Sequence, residues 1–325
     1  MLEPATEAER SLVVRATDTA NAVFKWLSYG SAILILSTLA AVAAFLLLEA
    51  WPALTASSAE LAGRVDWLGT ESNETLMATI GYLVYGTVLI AAIALVLATP
   101  ISFGIALFIS HYAPRRLAAG LGYIVDLLAA IPSVVYGLWG AFVLVPWMVP
   151  FFEFLESNLG WIPIFEGPVS TTGRVALAAS IVLAIMVLPI ITAITREVFL
   201  QTPTLHEEVA LAMGATKWEM IRMAVFPYSR SGMVGATMLG LGRALGETMA
   251  VYMILSPGLS YGFGILQSSQ HNTIAANIAL KFPEANSSGV AALIAMGLAL
   301  FVITLLVNML ARWVVSRRAE FSGAN

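Results

Sequence analysis

The chain consists mainly of long apolar runs separated by short polar segments. Six runs carry little or no charge and end at charged or turn-forming residues; they lie at 26–48, within 75–110, and at about 123–149, 175–195, 232–255 and 290–311. Each run is long enough to cross about 30 Å of hydrocarbon as a helix, which rises about 1.5 Å per residue. The pattern therefore predicts an all-α polytopic membrane protein with six transmembrane helices.

The second run is longer than one ordinary span, because residues 75–110 contain no formal charge. With six spans and the N-terminus in the cytoplasm, twelve of the sixteen basic residues lie inside, three lie outside and one lies within a span. Splitting 75–110 into two crossings would move nine of those twelve outside, against the positive-inside rule. We therefore predict one long helix, bent near Pro100, with both termini in the cytoplasm.

The composition supports a membrane location and excludes several kinds of site. The chain is 59% hydrophobic and 11% charged, whereas soluble domains are about 25% charged. A net charge of −4 without a basic tail gives no reason to expect a nucleic-acid partner. The chain has no cysteine, and none of its three histidines is at helical spacing from another, so we predict no metal site. The spans also lack a nucleophile and base for an intramembrane enzyme, and we predict no catalytic residue.

The predicted cytoplasmic loop 196–231 contains signals for two short helices. Thr202 and Pro203 form a typical start, with a capping hydroxyl followed by proline at the first helical position. A helix over 203–213 is expected to end at Gly214, where a positive φ is favoured. Thr216 and Glu219 have the spacing of a capping box that begins a second helix, and we expect Pro227 to end it.

The fifth run contains an arginine and a glutamate four residues apart, Arg243 and Glu247. An arginine at the bilayer centre costs roughly 2.5–3.5 kcal/mol, and a glutamate on the same helix face offsets part of that cost. Gly242 and Gly246 have the small-xxx-small spacing that lets helices pack closely. Two interpretations stay open: a structural ion pair that fixes helix packing, or an Arg243 charge presented to an anion in a translocation path and held by Glu247.

The loop resembles the signature E-A-A-x3-G-x11-L-P of ATP-binding-cassette (ABC) importer permeases. The match consists of Glu208-Val209-Ala210, Gly214 and Phe226-Pro227, with departures at Val209, Ala224 and Phe226. The resemblance implies a coupling loop that docks on an ATPase subunit. It places at that contact Glu208, Ala210 and Gly214, to which we add the flanking Lys217, Trp218 and Arg222.

The chain has no phosphate-binding loop of its own, because none of its three lysines follows a glycine. We therefore predict no cofactor in this chain, with ATP and Mg bound by the partner ATPase.

Three further strings, together with the loop, resemble the PstC-type permeases of the phosphate-specific importer: "DLLAAIPSVVYGL" (126–138), "LGLGRALGETMAV" (239–251) and "TIAANIALKFPEA" (273–285). The similarity covers about 75–312. It implies the type I ABC importer permease fold, with a cytoplasmic segment at 1–25, a transmembrane permease domain at 26–315 and a cytoplasmic tail at 316–325. It also implies a phosphate path, for which we select Arg243, Glu247, Ser133 and Thr248.

The same resemblance implies partners in the bacterial cytoplasmic membrane: a PstA-type second permease, a homodimeric PstB-type ATPase and an extracytoplasmic PstS-type phosphate-binding protein. Alternatives are a permease for another oxyanion, such as molybdate or sulfate, and a passive anion channel or ion-driven carrier. A kink at Pro132 that serves only helix packing is the alternative to a path role for Ser133.

Overall fold

The computed structural model describes residues 7–65, 67–68 and 75–319, and side chains within those ranges from residue 21 to residue 313. No strand occurs in this part of the chain, which forms helices connected mostly by short segments; the longest non-helical segment is 255–273. In chain order they are α1 (Glu7–Thr55), α2 (Ser58–Arg64), α3 (Leu76–Leu107), α4 (Arg115–Ala129), α5 (Ser133–Trp139), α6 (Val145–Leu159), α7 (Ala176–Leu200), α8 (Thr204–Ala212), α9 (Lys217–Met220), α10 (Phe226–Leu245), α11 (Met249–Ile254), α12 (Ile274–Lys281) and α13 (Ser287–Ala319). Single π-helical turns lie at Phe108–Tyr112, Gly140–Leu144 and Ile221–Val225.

Five helical stretches of the described residues are long and apolar enough to cross a membrane: Asn21–Thr55, Leu76–Tyr112, Ser133–Leu159, Ala176–Leu200 and Ser287–Trp313. Four of them overlap the first, second, fourth and sixth predicted spans. Residues 76–112 form one helical stretch with Pro100 inside it, which confirms one long helix in place of two crossings. The cytoplasmic location of both termini stays a prediction.

The third predicted span, 123–149, is wrong in its boundaries because the helix is interrupted inside it. α4 ends at Ala129, and a new helix begins at Ser133, directly after Pro132. Proline lacks the N–H that would continue the α-helical ladder, and its ring clashes with the preceding turn. A Cβ on Gly122 would contact Arg196, and a Cβ on Gly140 would contact Val182, so α4 and α5 run antiparallel to α7.

An ion pair joins α4 to α7 on the predicted cytoplasmic side. The Arg196 guanidinium lies 3.6 Å from the Asp126 carboxylate and 2.7 Å from that of the neighbouring Glu197. Asp126 therefore has a charged partner in this chain.

The fifth predicted span, 232–255, is also interrupted. α10 ends at Leu245 and α11 begins at Met249, with Gly246, Glu247 and Thr248 between them. Glycine is a weak helix former. The Glu247 side chain accepts a hydrogen bond from the Ala250 backbone N–H, and such side-chain-to-backbone bonds compete with the backbone hydrogen bonds of a continuous helix. This interruption explains why five uninterrupted apolar stretches are found where six were expected.

α7 is the central helix of the larger core, and α3 and α10 pack directly against it. Glycines permit the close approach of α10: a Cβ on Gly232 would contact Val198, and one on Gly240 would come within 2.7 Å of Ile191. Ala236 lies between them and is fully buried. The small residues 232, 236 and 240 thus form the packing face of α10.

A second core joins the end of α1 to α3 and α13 through Ala50, Leu83, Leu293 and Met296. Residues 21–49 of α1 are mostly exposed in this chain. In a bilayer this apolar surface faces lipid or another subunit.

Candidate functional site

The two-helix loop has the local geometry expected from its sequence. α8 covers Thr204–Ala212, and Gly214 has φ +87°, in the left-handed region that favours glycine. The Thr216 backbone N–H donates to the Glu219 carboxylate at 2.8 Å, and the Glu219 N–H donates to the Thr216 hydroxyl at 3.4 Å. The hydrogen bonds from the Thr216 backbone and hydroxyl hold the pKa of Glu219 below its usual value.

Both prolines in the loop differ from the prediction. Pro203 precedes the first helical residue, and the buried Thr202 hydroxyl faces Ser229 at 3.5 Å instead of capping α8. Pro227 does not end the second helix, because the π turn Ile221–Val225 connects α9 to α10. In that turn the N–H of Phe226 donates to the carbonyl of Ile221, and the wide turn accommodates the proline in the first turn of α10.

The loop residues predicted to contact an ATPase divide into an exposed group and one buried member. Ala210 is 9% exposed and packs in a small core with Phe199, Ile221 and Val225, and its predicted contact with an ATPase stays a prediction. Its small side chain lets α8 lie close to the π turn. The other five predicted contact residues are exposed: Glu208, Gly214, Lys217, Trp218 and Arg222. The most exposed apolar side chain there is Met213, at 80%.

The π turn after α3 contacts and supports this loop, and no sequence pattern predicts that contact. His111 Nε2 lies 3.4 Å from the Glu207 carboxylate, and Lys217 Nζ lies 4.7 Å from the centre of the Tyr112 ring. Phe226 packs against the rings of Phe199 and Trp218. About a hundred residues separate the two sides in sequence, so only tertiary structure brings them together.

Within the apolar region, the two interrupted helices lie side by side. A Cβ on Gly137 of α5 would come within 2.9 Å of the Cα of Ala250 in α11. Ser133 is the first residue of α5, and Thr248 directly precedes α11, so both predicted path residues lie where a helix begins again. Backbone N–H groups at such positions carry partial positive charge, a common feature of transporters for anions.

Arg243 and Glu247 do not form the predicted ion pair. The Glu247 carboxylate is 7% exposed and accepts a hydrogen bond from the Ala250 N–H at 3.1 Å. The Arg243 guanidinium takes part in no ion pair or side-chain hydrogen bond among the described residues, although it interacts electrostatically with Tyr136. The interruption after Leu245 separates the two side chains that a continuous helix would have placed on one face.

Arg243 lines a groove of about 720 Å³ between α10 and α13, with Ile190 of α7 also in its wall. The polar and charged residues of the groove are Ser231, Arg243, Asn308 and Arg312; the others are apolar residues and glycines. The groove is open beside Gly242: a Cβ at this position would have no neighbouring atom of the described chain within 4 Å, apart from its own helix backbone.

Gly242 and Gly246 therefore make no helix packing contact among the described residues of this chain, and their predicted packing role stays a prediction. The only atom near a Cβ on Gly246 belongs to its own helix, the carbonyl of Gly242 at 3.6 Å. The close contacts of α10 lie on the face that carries Gly232 and Gly240, because that face meets α7.

Arg174 directly precedes the fourth predicted span. Its guanidinium donates hydrogen bonds to the carbonyls of Met253 at 2.9 Å and Ile254 at 3.4 Å, the last two residues of α11. A cation is favourable at a helix C-terminus, so Arg174 fixes the outer end of the short helix that follows Glu247.

The sequence matches known permeases over most of its length. The family model "binding-protein-dependent transport system inner membrane component" matches residues 98–320. The chain is 45% identical over 315 residues to "phosphate transport system permease protein PstC 2" of Mycobacterium tuberculosis, with 95% of this chain and 96% of that protein covered. It is 38% identical over 329 residues to the PstC protein of Mesorhizobium japonicum, with 99% and 98% covered.

A solved structure shares the fold. A chain of the MetNI methionine ABC transporter, in an inward-facing conformation, superposes with a TM-score of 0.54 at 17% identity and covers 75% of this chain and 98% of its own length. The all-helical architecture is therefore that of an ABC importer permease. With the family match and the PstC relatives, it follows that the chain is a multi-pass membrane protein that belongs to the binding-protein-dependent transport system inner membrane component family, within its PstC group.

Proposed function

We propose that this chain is a permease subunit of an ATP-driven importer and forms, with a PstA-type permease, the path by which inorganic phosphate enters the cytoplasm. The observation that carries the proposal is the Arg243 guanidinium, which lines a groove beside two interrupted helices and has no carboxylate partner among the described residues. The PstC relatives are named as phosphate transport permeases, which agrees with an anion as the substrate.

The chemistry of Arg243 suits a phosphate ion. A guanidinium is planar and always charged, and its fork of N–H groups can donate to two phosphate oxygens at once. Arg243 is exposed to the groove in this chain, so water solvates it when the path is empty. A solvated cation binds an anion with moderate strength, and transport needs moderate strength because the ion must also leave.

The loop at 202–216 and the following helix are the parts that we assign to energy coupling. Glu208, Met213 and Trp218 are exposed and would contact a PstB-type ATPase dimer, which binds ATP and Mg. From Lys217 to Leu245 the chain is helical without interruption, through the π turn. Movement of the loop is therefore passed to the segment that holds Arg243. On this proposal ATP hydrolysis belongs to the partner, and the chain itself is no enzyme.

The remaining partners are a PstS-type phosphate-binding protein on the outer side and the lipid of the bacterial cytoplasmic membrane. The test is to reconstitute the complete complex in proteoliposomes and to measure uptake of labelled phosphate, sulfate and molybdate, with and without ATP. ATP-dependent phosphate uptake supports the proposal. Preference for sulfate or molybdate would assign another oxyanion, and uptake that needs neither ATP nor an ATPase subunit would indicate a channel or carrier.

A further inference from the structure

We infer that Asn308 and Arg312 of α13 form a second oxyanion station, at the end of the groove away from Arg243. The inference rests on the proposed function, under which the oxyanion is phosphate. The station would take either a free phosphate ion that has left Arg243 or the phosphate group of an anionic lipid. Both sources offer the same tetrahedral phosphoryl oxygens.

The positions of the two residues place the station near the predicted cytoplasmic surface. Asn308 and Arg312 lie in the last turns of the apolar stretch Ser287–Trp313, and Ser231 of the groove lies in the first turns of α10. Arg243 is twelve residues further along α10 than Ser231, which corresponds to about 18 Å of helix. The groove thus connects a cation within the apolar region to a cation near the surface.

Asn308 and Arg312 are suitably spaced to hold one ligand together. Residues four apart lie on the same face of a helix, so the amide of Asn308 and the guanidinium of Arg312 both point into the groove that they line. The amide NH₂ and the guanidinium are donors. Neither side chain forms a hydrogen bond or ion pair with another described side chain, so their donors are available.

The charge of the groove selects an anion. Two arginines and no carboxylate line it, and apolar side chains such as Val234, Met238 and Leu239 form much of its wall. An anionic ligand in the groove can accept charge-assisted hydrogen bonds from these two guanidinium groups. A volume of about 720 Å³ also admits a small anion with its water or part of a lipid molecule.

A second station would shorten the distance that the anion travels without a cationic binding partner. Phosphate that leaves Arg243 otherwise passes the apolar wall without a charged partner. Arg312 provides a charged partner at the end of the groove near the predicted cytoplasmic surface. Two stations that bind the anion with moderate strength favour its passage over its retention at one site.

The experiment compares Arg312→Ala with Arg116→Ala in the complete reconstituted complex. Arg116 is an exposed arginine on the same predicted side of the membrane and does not line the groove, so its loss controls for the removed charge. We expect Arg312→Ala to lower the ATP-dependent uptake rate about tenfold, the effect of one lost charge-assisted hydrogen bond. Arg312→Lys, which keeps the charge without the fork, should recover part of the rate, and Arg116→Ala should match the wild type.

The lipid composition distinguishes the two sources. A defect of Arg312→Ala in both phosphatidylcholine vesicles and vesicles containing phosphatidylglycerol assigns the station to the transported ion. A defect only with phosphatidylglycerol assigns it to a lipid phosphate. Equal uptake by Arg312→Ala and Arg116→Ala in both kinds of vesicle would overturn the station. If the wild type transports another oxyanion, the proposed function fails, and the same comparison with that oxyanion still decides the station.

Discussion

The buried carboxylate of Glu247 accepts a hydrogen bond from the backbone N–H of Ala250 at 3.1 Å, and so it caps the start of α11 instead of pairing with Arg243. A buried carboxylate needs hydrogen bonds to offset its desolvation. The two charged residues of the fifth apolar run therefore have separate tasks: Glu247 holds the interrupted helix, and Arg243 faces the groove.

Replacing Glu247 separates the capping role from a charge role. Glu247→Gln keeps an oxygen that can accept the Ala250 N–H, so we expect a stable complex with uptake reduced by less than about threefold. Glu247→Ala removes the acceptor and should destabilise the subunit by about 1 kcal/mol. The measurements are thermal unfolding of the purified complex and phosphate uptake. Equal damage by both substitutions would mean that the negative charge itself is required.

Arg243→Ala should reduce phosphate uptake more than about tenfold. The complex should still assemble and bind its ATPase, because the guanidinium makes no ion pair or side-chain hydrogen bond among the described residues whose loss would unfold the helix. Uptake assays and size-exclusion chromatography of the same preparations provide the two readouts. Arg243→Lys, which lacks the planar fork, should lie between alanine and the wild type. Failure of Arg243→Ala to assemble would instead favour a structural role.

Gly214 is the residue whose backbone conformation we expect to matter most for the coupling of ATP hydrolysis to uptake. Its φ of +87° costs a non-glycine residue about 1–2 kcal/mol, and proline cannot adopt it. We expect Gly214→Pro to uncouple ATP hydrolysis from uptake, so that the phosphate transported per ATP falls at least about fivefold. Gly104→Ala is the matched control, because Gly104 lies within α3 with open space around its Cβ position. Normal coupling in Gly214→Pro would contradict the assignment of the loop.

Arg174→Ala should loosen the outer end of α11, because it removes the donors to the Met253 and Ile254 carbonyls. We expect about 1–2 kcal/mol of destabilisation and slower uptake with unchanged binding of the ATPase. Hydrogen exchange of residues 249–256 would locate the effect. Arg174→Lys keeps the cation and should recover most of the protection; unchanged exchange in Arg174→Ala would show that α11 is held by packing alone.

His271 should make the non-helical segment between α11 and α12, residues 255–273, sensitive to acid. Its Nε2–H donates to the Gly262 carbonyl at 2.7 Å, its Nδ1 is buried without a partner among the described residues, and the Tyr85 ring lies beside it. Burial lowers the pKa of His271 below its ordinary value of 6.5, so the folded segment favours the neutral ring.

The sign of the effect follows from that shift. The unfolded segment binds a proton below pH 6.5 and the folded one does not, so stability is complete above that pH. It falls by up to about 1.4 kcal/mol per pH unit as the pH decreases towards the folded pKa. We expect lower hydrogen-exchange protection factors (the intrinsic exchange rate divided by the observed rate) for residues 256–277 at pH 5 than at pH 7 in the wild type but not in His271→Gln. His206→Gln, at an exposed histidine, is the control, and a pH response that persists in His271→Gln would contradict the prediction.

The signals that the sequence provided were strongest where structure is local. The long helix through Pro100, the positive φ of Gly214 and the capping box of Thr216 and Glu219 all depend on neighbouring residues, and all three are present. Charge distribution along the chain was enough to decide that 75–110 forms one helix.

The interruptions of the third and fifth runs were not predicted, because apolar composition does not distinguish a continuous helix from an interrupted one. The interruption at 246–248 depends on a side-chain hydrogen bond of Glu247, and Pro132 was interpreted as a kink. The burial of Ala210 and the open space beside Gly242 depend on which helices are neighbours, and spacing along one helix carries no information about them.

The continuous helix from Lys217 to Leu245 has a mechanical consequence. Trp218 and Arg243 are twenty-five residues apart on this helix, which corresponds to about 37 Å. A tilt of about 5° pivoting at the lower end would carry the guanidinium sideways by about 3 Å, roughly the length of a hydrogen bond. Under the proposed function, a small tilt that starts at the loop is therefore enough to break a hydrogen bond between Arg243 and a bound anion.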